Sequence, residues 1–472
     1  MKARNGGIPG IVSRLPGHSA ILQYPGGGNM EKGMEGFFRL RAHHTDIRKE
    51  AMAGLSTFLM MAYIIVVNPA ILSQAGMPFA GVLTATVLVA ASSSIAMGLY
   101  ANLPYSLAPG MGINAFFAFS LVVGMGIGWQ TALGAVFISG IVFILLSMTG
   151  VRTEVVKAIP LSLRFGLAAG IGIFLALIGL TSIGFVVSNP ATVVSFGTLD
   201  ISIAIFLIGL IATSVLLIKR VLGAMIIGIV FTSLLALAVS LIGVWTGWLA
   251  EPLVSLPERF VAMPSGEVFF KLDIVGALSL GMIMPVFALL FFDFFDSVAS
   301  FVGLSEVAGM VDEDGTPINV GRAMLVDAFS TTISGLFGSS AGTVYVESAV
   351  GIEEGGRTGL TSVVTGLLFL PFMFFSPLVA FVPTVATAPV LVIVGVFMVQ
   401  PLVRIDWKDY EEAIPAFLAM LLIPLTFSIT QGIIWSFLTY TLIKVLLGKG
   451  SKVHWIIYII DLLAIVSLLH QR

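Results

Sequence analysis

The chain has 472 residues, of which 58 % are hydrophobic and only 10 % charged, with a formal net charge of −2 and a mean hydropathy of +1.07. Soluble domains carry about 25 % charge, so most of this chain must face lipid or other apolar helices. It has no cysteine, which excludes disulfides, thiol redox chemistry and thiolate metal sites, and no basic patch exists to bind nucleic acid.

Residues 1–29, with "GGIPG" and "YPGGGN", are Gly/Pro-rich and lack the apolar core and cleavage site of a signal peptide. The tail is read as disordered, with Met30 or Met34 as alternative natural starts. His43 and His44 sit in "RLRAHHTDIRKE", a charged lead-in to the first span, and read as a solvated interfacial segment rather than a metal site. Apolar runs then recur, for example Met60–Ile71, Ala132–Met148, Ile201–Ile218 and Val364–Phe381 with their flanks. A spanning helix needs roughly 20 mostly apolar residues, and about 14 segments qualify. Outer-membrane barrel strands alternate polar and apolar side chains, and these runs do not. The fold class is an all-α polytopic membrane protein. The 51 glycines point to close helix packing and broken helices; Gly166-xxx-Gly170 reads as a packing motif.

Loop charge sets the orientation. Arg39, Arg41, Arg48 and Lys49 precede the first span, which places the N-terminus in the cytosol. Arg152 with Lys157, Lys219 with Arg220, Arg322, Arg357, Arg404 with Lys408, and Lys449 with Lys452 then follow the fourth, sixth, eighth, tenth, twelfth and fourteenth spans. Intervening loops such as Ser188–Asp200 have no Lys or Arg; only the central connector, with Arg259 and Lys271, breaks the pattern. Both termini are therefore expected in the cytosol. The stretch "HWIIYIIDLLAIVSLLH" is just long enough to span, but Asp461 lies mid-run, which favours an interfacial helix.

A shift of 233 residues places Ala75-Gly76-Met77 on Ala308-Gly309-Met310 and Asn114 on Glu347. Both polar residues lie in short, glycine-interrupted segments, Pro104–Phe119 and Ser339–Ile352. Seven spans per half would bring the second half in from the opposite side, the inverted-repeat arrangement in which paired broken segments mark the binding site of secondary transporters.

The run "LLFFDFFDSVAS" carries Asp293 and Asp296 three residues apart, on one helix face. Two carboxyls that close in low dielectric cannot both ionise cheaply, so one is expected to hold a proton near neutral pH. Intramembrane acids are functional by default; the bland alternative ties them to helix ends or to a hydroxyl such as Ser297. Glu347 follows "TVYV", a run that favours extended backbone, and Pro109, Gly110 and Gly112 break the chain ahead of Asn114. Two half-helix N-termini would then point at one midplane cavity and offer N–H donors. Asn114 reads equally as a ligand-binding amide or as the cap of its own half-helix. Tyr63, Phe116, Phe117, Phe292, Phe294, Phe295 and Tyr345 surround these groups, and one or two of them would stack on a planar ligand. No Lys or Arg falls in the spans that carry the acids, so the site suits a cation or a neutral molecule rich in N–H donors. Asp327, beside Ser330, Thr331 and Thr332, reads as a structural hydrogen-bonding residue, with a proton relay as the minor reading.

"STFLMMAYIIVVNPAIL", "APGMGINAFFAF", "FFDFFDSVAS" and "TVYVESAVGIEEGGRTGL" together resemble the nucleobase–cation symporter family 2, and within it the AzgA-like purine permeases, from about Phe37 to Gly448. The resemblance implies two inverted seven-span repeats, 14 spans in all, with short strands in broken spans 3 and 10. Its core domain would comprise spans 1–4 and 8–11 (residues 46–155 and 251–383). Its gate domain would comprise spans 5–7 and 12–14 (156–250 and 384–448), between a tail (1–45) and the final helix (449–472). It carries over Asn114, Asp293, Asp296 and Glu347 as functional positions, the set already chosen on physical grounds. The expected substrate ligands are Asp293, Glu347, Asn114, Phe292 and Tyr345, and the proton-coupling acids Asp296, Asp293 and Glu347. The uracil and xanthine branches carry Glu at the position of Asp293 and E-N-x-G in span 10, where this chain reads Glu347-Ser-Ala-Val-Gly351. That departure favours adenine, guanine or hypoxanthine. The expected function is proton-coupled uptake of a purine across the inner membrane, with no cofactor and a homodimer through the gate domain. An intramembrane aspartyl protease using Asp293 and Asp327, and an anion transporter of the same fold, are the alternatives.

Overall fold

The computed structural model describes residues 29–470 apart from 150–157, 250, 255–256, 258 and 312–317. The Gly/Pro-rich stretch 1–28, Arg152 and Lys157 lie outside the described residues. A short helix, Asn29–Phe38, leads in. Among the described residues nine helices are long and apolar enough to cross a membrane. These are α1 (Ile47–Ser73), α2 (Phe79–Ala101), α4 (Trp129–Met148), α5 (Leu161–Ser182), α6 (Ile201–Ile218), α7 (Ala224–Trp245), α8 (Leu280–Ala308), α12 (Thr384–Arg404) and α14 (Ile429–Leu446). Between them lie α3 (Met111–Gly124), α9 (Val320–Phe337), α10 (Ser348–Glu353), α11 (Gly359–Phe374) and α13 (Tyr410–Thr426), and α15 (Trp455–His470) follows.

Two packing groups emerge. Helices α1, α2, α4, α8, α9 and α11 pack chiefly on one another, and α5, α6, α7, α12, α13 and α14 form a second group. Small residues permit the closest crossings, as a bundle without a lipid-driven force between helices requires. A Cβ on Gly166 would sit 2.4 Å from the Ala416 carbonyl oxygen, and one on Gly170 2.8 Å from Ile423. The Gly166-xxx-Gly170 motif thus seats α5 on α13. In the first group Gly98 and Gly359 meet back to back, where a Cβ on either would fall about 2.2 Å from the other's carbonyl oxygen.

Two small antiparallel sheets interrupt the helices. Strand β1 (Leu107–Pro109) pairs with β4 (Gly342–Val344), and β2 (Val186–Asn189) pairs with β3 (Val193–Phe196) as a hairpin between α5 and α6. The β2–β3 hairpin falls in the loop that the sequence reading left irregular; its "TVVSF" run has the β-branched composition of a strand.

Helix α1 is tied to α11 through Glu50, which is fully buried in its first turn. Its carboxylate accepts the backbone N–H groups of Arg357 (2.9 Å), Thr358 (3.3 Å) and Thr361 (3.2 Å) and the Thr361 hydroxyl (2.6 Å). Asn102 takes the Gly359 N–H at 2.8 Å. The orphan donors that open any helix are thus met at α11 by side chains from α1 and the end of α2. Glu50→Ala leaves those donors buried and unpaired, and a loss of about 3 kcal/mol is expected. It should appear as a lowered thermal unfolding midpoint in detergent, with Glu50→Gln in between. An unchanged midpoint for Glu50→Ala would remove Glu50 from the stabilising contacts.

Candidate functional site

The β1–β4 ladder organises the centre of the first packing group. Leu107 pairs with Val344, Ala108 with Thr343 and Pro109 with Gly342. The Gly110 N–H to the Ala341 carbonyl (2.9 Å) and the Tyr345 N–H to the Ser106 carbonyl (3.0 Å) extend it at both ends. Pro109 and Gly110 end β1 and start α3, while the β-branched "TVYV" run keeps β4 extended until Glu347 opens α10. Both chains therefore change from strand to helix at the same place. Gly342 is required there, because a Cβ would fall 2.2 Å from the Ser330 hydroxyl.

Three acidic side chains converge on this point. Asp293 is 1 % exposed; one carboxyl oxygen accepts the Thr331 hydroxyl and the other has no partner. Asp296, one turn along α8, is exposed. The Thr343 hydroxyl of β4 lies 3.4 Å from it. Glu347 is partly exposed, and one of its oxygens accepts the Tyr63 hydroxyl at 2.8 Å. The carboxyls of Asp293 and Asp296, and of Asp296 and Glu347, are close enough to interact electrostatically.

Asn114 is fully buried one turn into α3, its carbonyl oxygen accepting the Ser340 hydroxyl. The cap position belongs to Gly110, so the capping alternative for Asn114 does not hold. Glu347 occupies the position before α10 but makes no side-chain capping bond. The Ser297 hydroxyl, offered as a bland partner for the aspartates, pairs instead with Thr343 at 2.9 Å.

The aromatic residues divide. Tyr345 leans toward Tyr63, ring centres 6.4 Å apart, and its hydroxyl is fixed on the Pro109 carbonyl at 2.6 Å. Phe292 meets Phe116 edge to face at 6.3 Å. Phe294 packs on Phe143 of α4 at 5.5 Å, and Phe117 is fully buried; both are packing residues.

A sequence model of the Permease family matches residues 48–435. The chain belongs to this family. A putative permease of Methanocaldococcus jannaschii is 44 % identical over 432 residues, covering 91 % of this chain and 96 % of the relative. The adenine permease AdeP of Escherichia coli is 39 % identical over 457 residues, covering 96 % of this chain and 98 % of the relative. The guanine/hypoxanthine permease PbuO of Bacillus subtilis is 38 % identical over 436 residues, covering 91 % and 99 %. The fold is similar to the transmembrane domain of a cyanobacterial bicarbonate transporter, BicA, with a TM-score of 0.61 at 16 % identity, covering 81 % of this chain and 97 % of that one. Murine Slc26a9, an anion transporter in its inward-facing state, gives 0.60 at 12 % identity, covering 91 % and 74 %. The protein is thus a multi-pass membrane permease, a transporter rather than an enzyme.

Two expectations for the permease need correction. Asp327 was read as a structural hydrogen-bonding residue, yet it is fully buried with both carboxyl oxygens unpartnered. The Ser297 hydroxyl lies close enough to interact with it, though not in a formed hydrogen bond, and the hydroxyls beside it in the sequence are committed elsewhere. Thr331 bonds Asp293, Ser330 accepts from Ser93 at 2.7 Å, and Thr332 bonds back to the Ala328 carbonyl at 2.9 Å. Asp327 instead lies within electrostatic reach of Asp293 and Asp296. Second, the acid-bearing segments have no Lys or Arg of their own, but a cation does approach. The Arg164 guanidinium of α5 lies 4.8 Å over the Phe295 ring and donates to the Ile159 carbonyl.

Tyr63, Thr331, Thr343 and Ser340 hold the four site residues, and sequence reasoning listed Tyr63 only as a ring. Tyr63 stands where α1 breaks, its N–H neighbours Ile65 and Val66 each taking carbonyls three residues back at 3.1 Å. Pro69, five residues on from Ile64 in that second half, was the available signal for an irregular helix. Tyr63→Phe removes one hydrogen bond to a carboxylate and keeps the ring. Half-saturating substrate concentration in uptake assays should rise about tenfold, with the amount of folded protein unchanged. An unaltered value would make the hydroxyl contact incidental to binding.

Proposed function

We propose that this permease takes up a purine nucleobase (adenine, guanine or hypoxanthine) together with protons. One observation carries the reading: Asp293, Asp296 and Glu347 lie within reach of one another at the ladder where two strands turn into helices, one of which carries Asn114, on segments without Lys or Arg. Such a site rejects anions and welcomes a neutral ring edged with N–H donors. Relatives at 38–41 % identity named adenine and guanine/hypoxanthine permeases support the substrate class.

In the proposed binding mode Glu347 and Asp293 accept hydrogen bonds from the purine N–H edges. The Ser340 contact takes the Asn114 oxygen, and the Asn114 amino group, which reaches the Met111 sulfur at 4.0 Å, would exchange that weak acceptor for a ring nitrogen or carbonyl. Tyr345 or Phe292 supplies the stacking face. Protonation of Asp296, exchanging with Asp293 and Glu347, accompanies loading, because a cluster of carboxylates cannot stay fully ionised away from bulk water. The packing of α1–α4 with α8–α11, and of α5–α7 with α12–α14, supports a core and a gate that move as rigid bodies to expose the site alternately. Fourteen spans in inverted repeats up to Leu446, a cytosolic N-terminus, cytosolic loops carrying the basic residues, an inner-membrane location and a homodimer through the gate complete the proposal.

Asp293 and Asp327 stand on different helices within electrostatic reach of one another, as the protease alternative asks, but a permease family sets that chemistry aside. The anion alternative gains Arg164, whose charge is occupied by Phe295 and a backbone carbonyl.

Uptake of labelled adenine, guanine and hypoxanthine into cells lacking purine uptake, with and without a protonophore, tests the reading. One purine should enter in a protonophore-sensitive way, and Glu347→Gln or Asp293→Asn should cut uptake about 100-fold, the loss of roughly 3 kcal/mol of charge-assisted bonding. Folded, membrane-inserted protein that takes up none of the three would overturn it.

A further inference from the structure

Helix α15 has an apolar surface all round. Val453, Ile457, Ile460 and Ala464 are buried against the protein, while Trp455, Tyr458, Ile459, Leu462, Ile465 and Leu469 stand exposed. An interfacial helix needs a charged or polar face, and among the described side chains α15 exposes none. Its one acid, Asp461, is turned to the protein side, 6 % exposed, with both carboxyl oxygens unpartnered. The Thr441 hydroxyl of α14 lies close enough to interact with it, though not in a formed hydrogen bond.

The ends of the bundle can be traced through hydrogen bonds. The start of α14 is held to α3, where the Ile429 N–H reaches the Ser120 hydroxyl at 3.3 Å and that hydroxyl donates to the Phe427 carbonyl at 3.2 Å. Helix α3 leads directly into α4, whose Gln130 carbonyl accepts the Asp273 N–H at 2.9 Å, and Thr131 donates to the Asp273 carboxylate at 3.0 Å. Asp273 lies just ahead of α8. The starts of α14, α4 and α8 therefore share one end of the bundle, and the end of α14 lies about 27 Å away. Helix α15 begins at that far end, where the Tyr458 hydroxyl donates to the Gly450 carbonyl at 3.0 Å. It nevertheless packs along α14, along α8 and on the Leu280–Met282 turn that opens α8.

We propose that α15 is a further membrane-crossing arm, antiparallel to α14, that brings Leu469 to the face opposite Lys452. Its length of about 24 Å covers most of a hydrocarbon core of about 30 Å. It bridges the two packing groups, lying on the helix that carries Asp293 and Asp296 as well as on α14. Asp461 sits at the same distance from the connecting turn as Thr441, so the polar pair is buried between the two helices at one depth.

The chain has no cysteine, so single substitutions report topology directly. Ser451→Cys and Leu469→Cys, both at exposed positions, are made separately in the full chain. Each is treated with a membrane-impermeant maleimide in intact cells and in inverted vesicles, and retained uptake serves as the folding control. The two variants should label from opposite sides, with at least tenfold preference. Labelling from the same side would overturn the arm and return α15 to the interface. Labelling of Leu469→Cys only after detergent would also overturn it, since the helix would then end inside the hydrocarbon.

Discussion

In hydrocarbon a backbone N–H or C=O without a partner costs several kcal/mol, so extended chain survives at membrane depth only where protein satisfies it. The β1–β4 ladder meets that constraint with two segments at once. Each strand is the other's partner, and the flanking bonds at Gly110 and Tyr345 close the ends. Because the ladder fixes where α3 and α10 begin, it also fixes where Asn114 and Glu347 stand. The threonines that reach Asp293 and Asp296 do so from α9 and from β4 itself. Loosening the ladder would release every polar group of the site together.

Much of this centre was legible in the sequence because the membrane makes polar residues conspicuous. Asp293, Asp296 and Glu347 stood out in apolar runs, and Pro109-Gly110 and "TVYV" announced the breaks in the segments that hold them. Some helix positions, Ile201–Ile218 among them, followed from hydropathy alone, whereas the run Val364–Phe381 is broken before Ser376. The partners were not legible. Tyr63 and Glu347 are 284 residues apart, and nothing local says that this hydroxyl reaches a carboxylate. Thr331 lies beside Asp327 in the chain but serves Asp293 across the α8–α9 contact; a hydroxyl selects its acceptor by tertiary packing. The approach of Arg164 to Phe295 was invisible for the same reason, as it joins helices of different packing groups.

Asp327 carries a related lesson. Proximity in sequence to three hydroxyls looked like satisfaction, yet helix geometry lets Ser and Thr bond their own preceding carbonyls, and Thr332 and Ser334 do so. The residue is left buried, with the Ser297 hydroxyl and the carboxyls of Asp293 and Asp296 within reach but no formed hydrogen bond.

The Glu50 contact has a consequence for how the protein is made. Its acceptors' partners on α11 lie 307 to 311 residues further along the chain. At synthesis rates of about 5–20 residues per second, α1 waits roughly 15–60 s in the membrane before α11 emerges. During that interval the donors that meet the Glu50 carboxyl in the folded protein do not yet exist in the membrane. The contact between α1 and α11 therefore cannot form as the first helices insert. It closes from the second half backward, when the opening turn of α11 arrives.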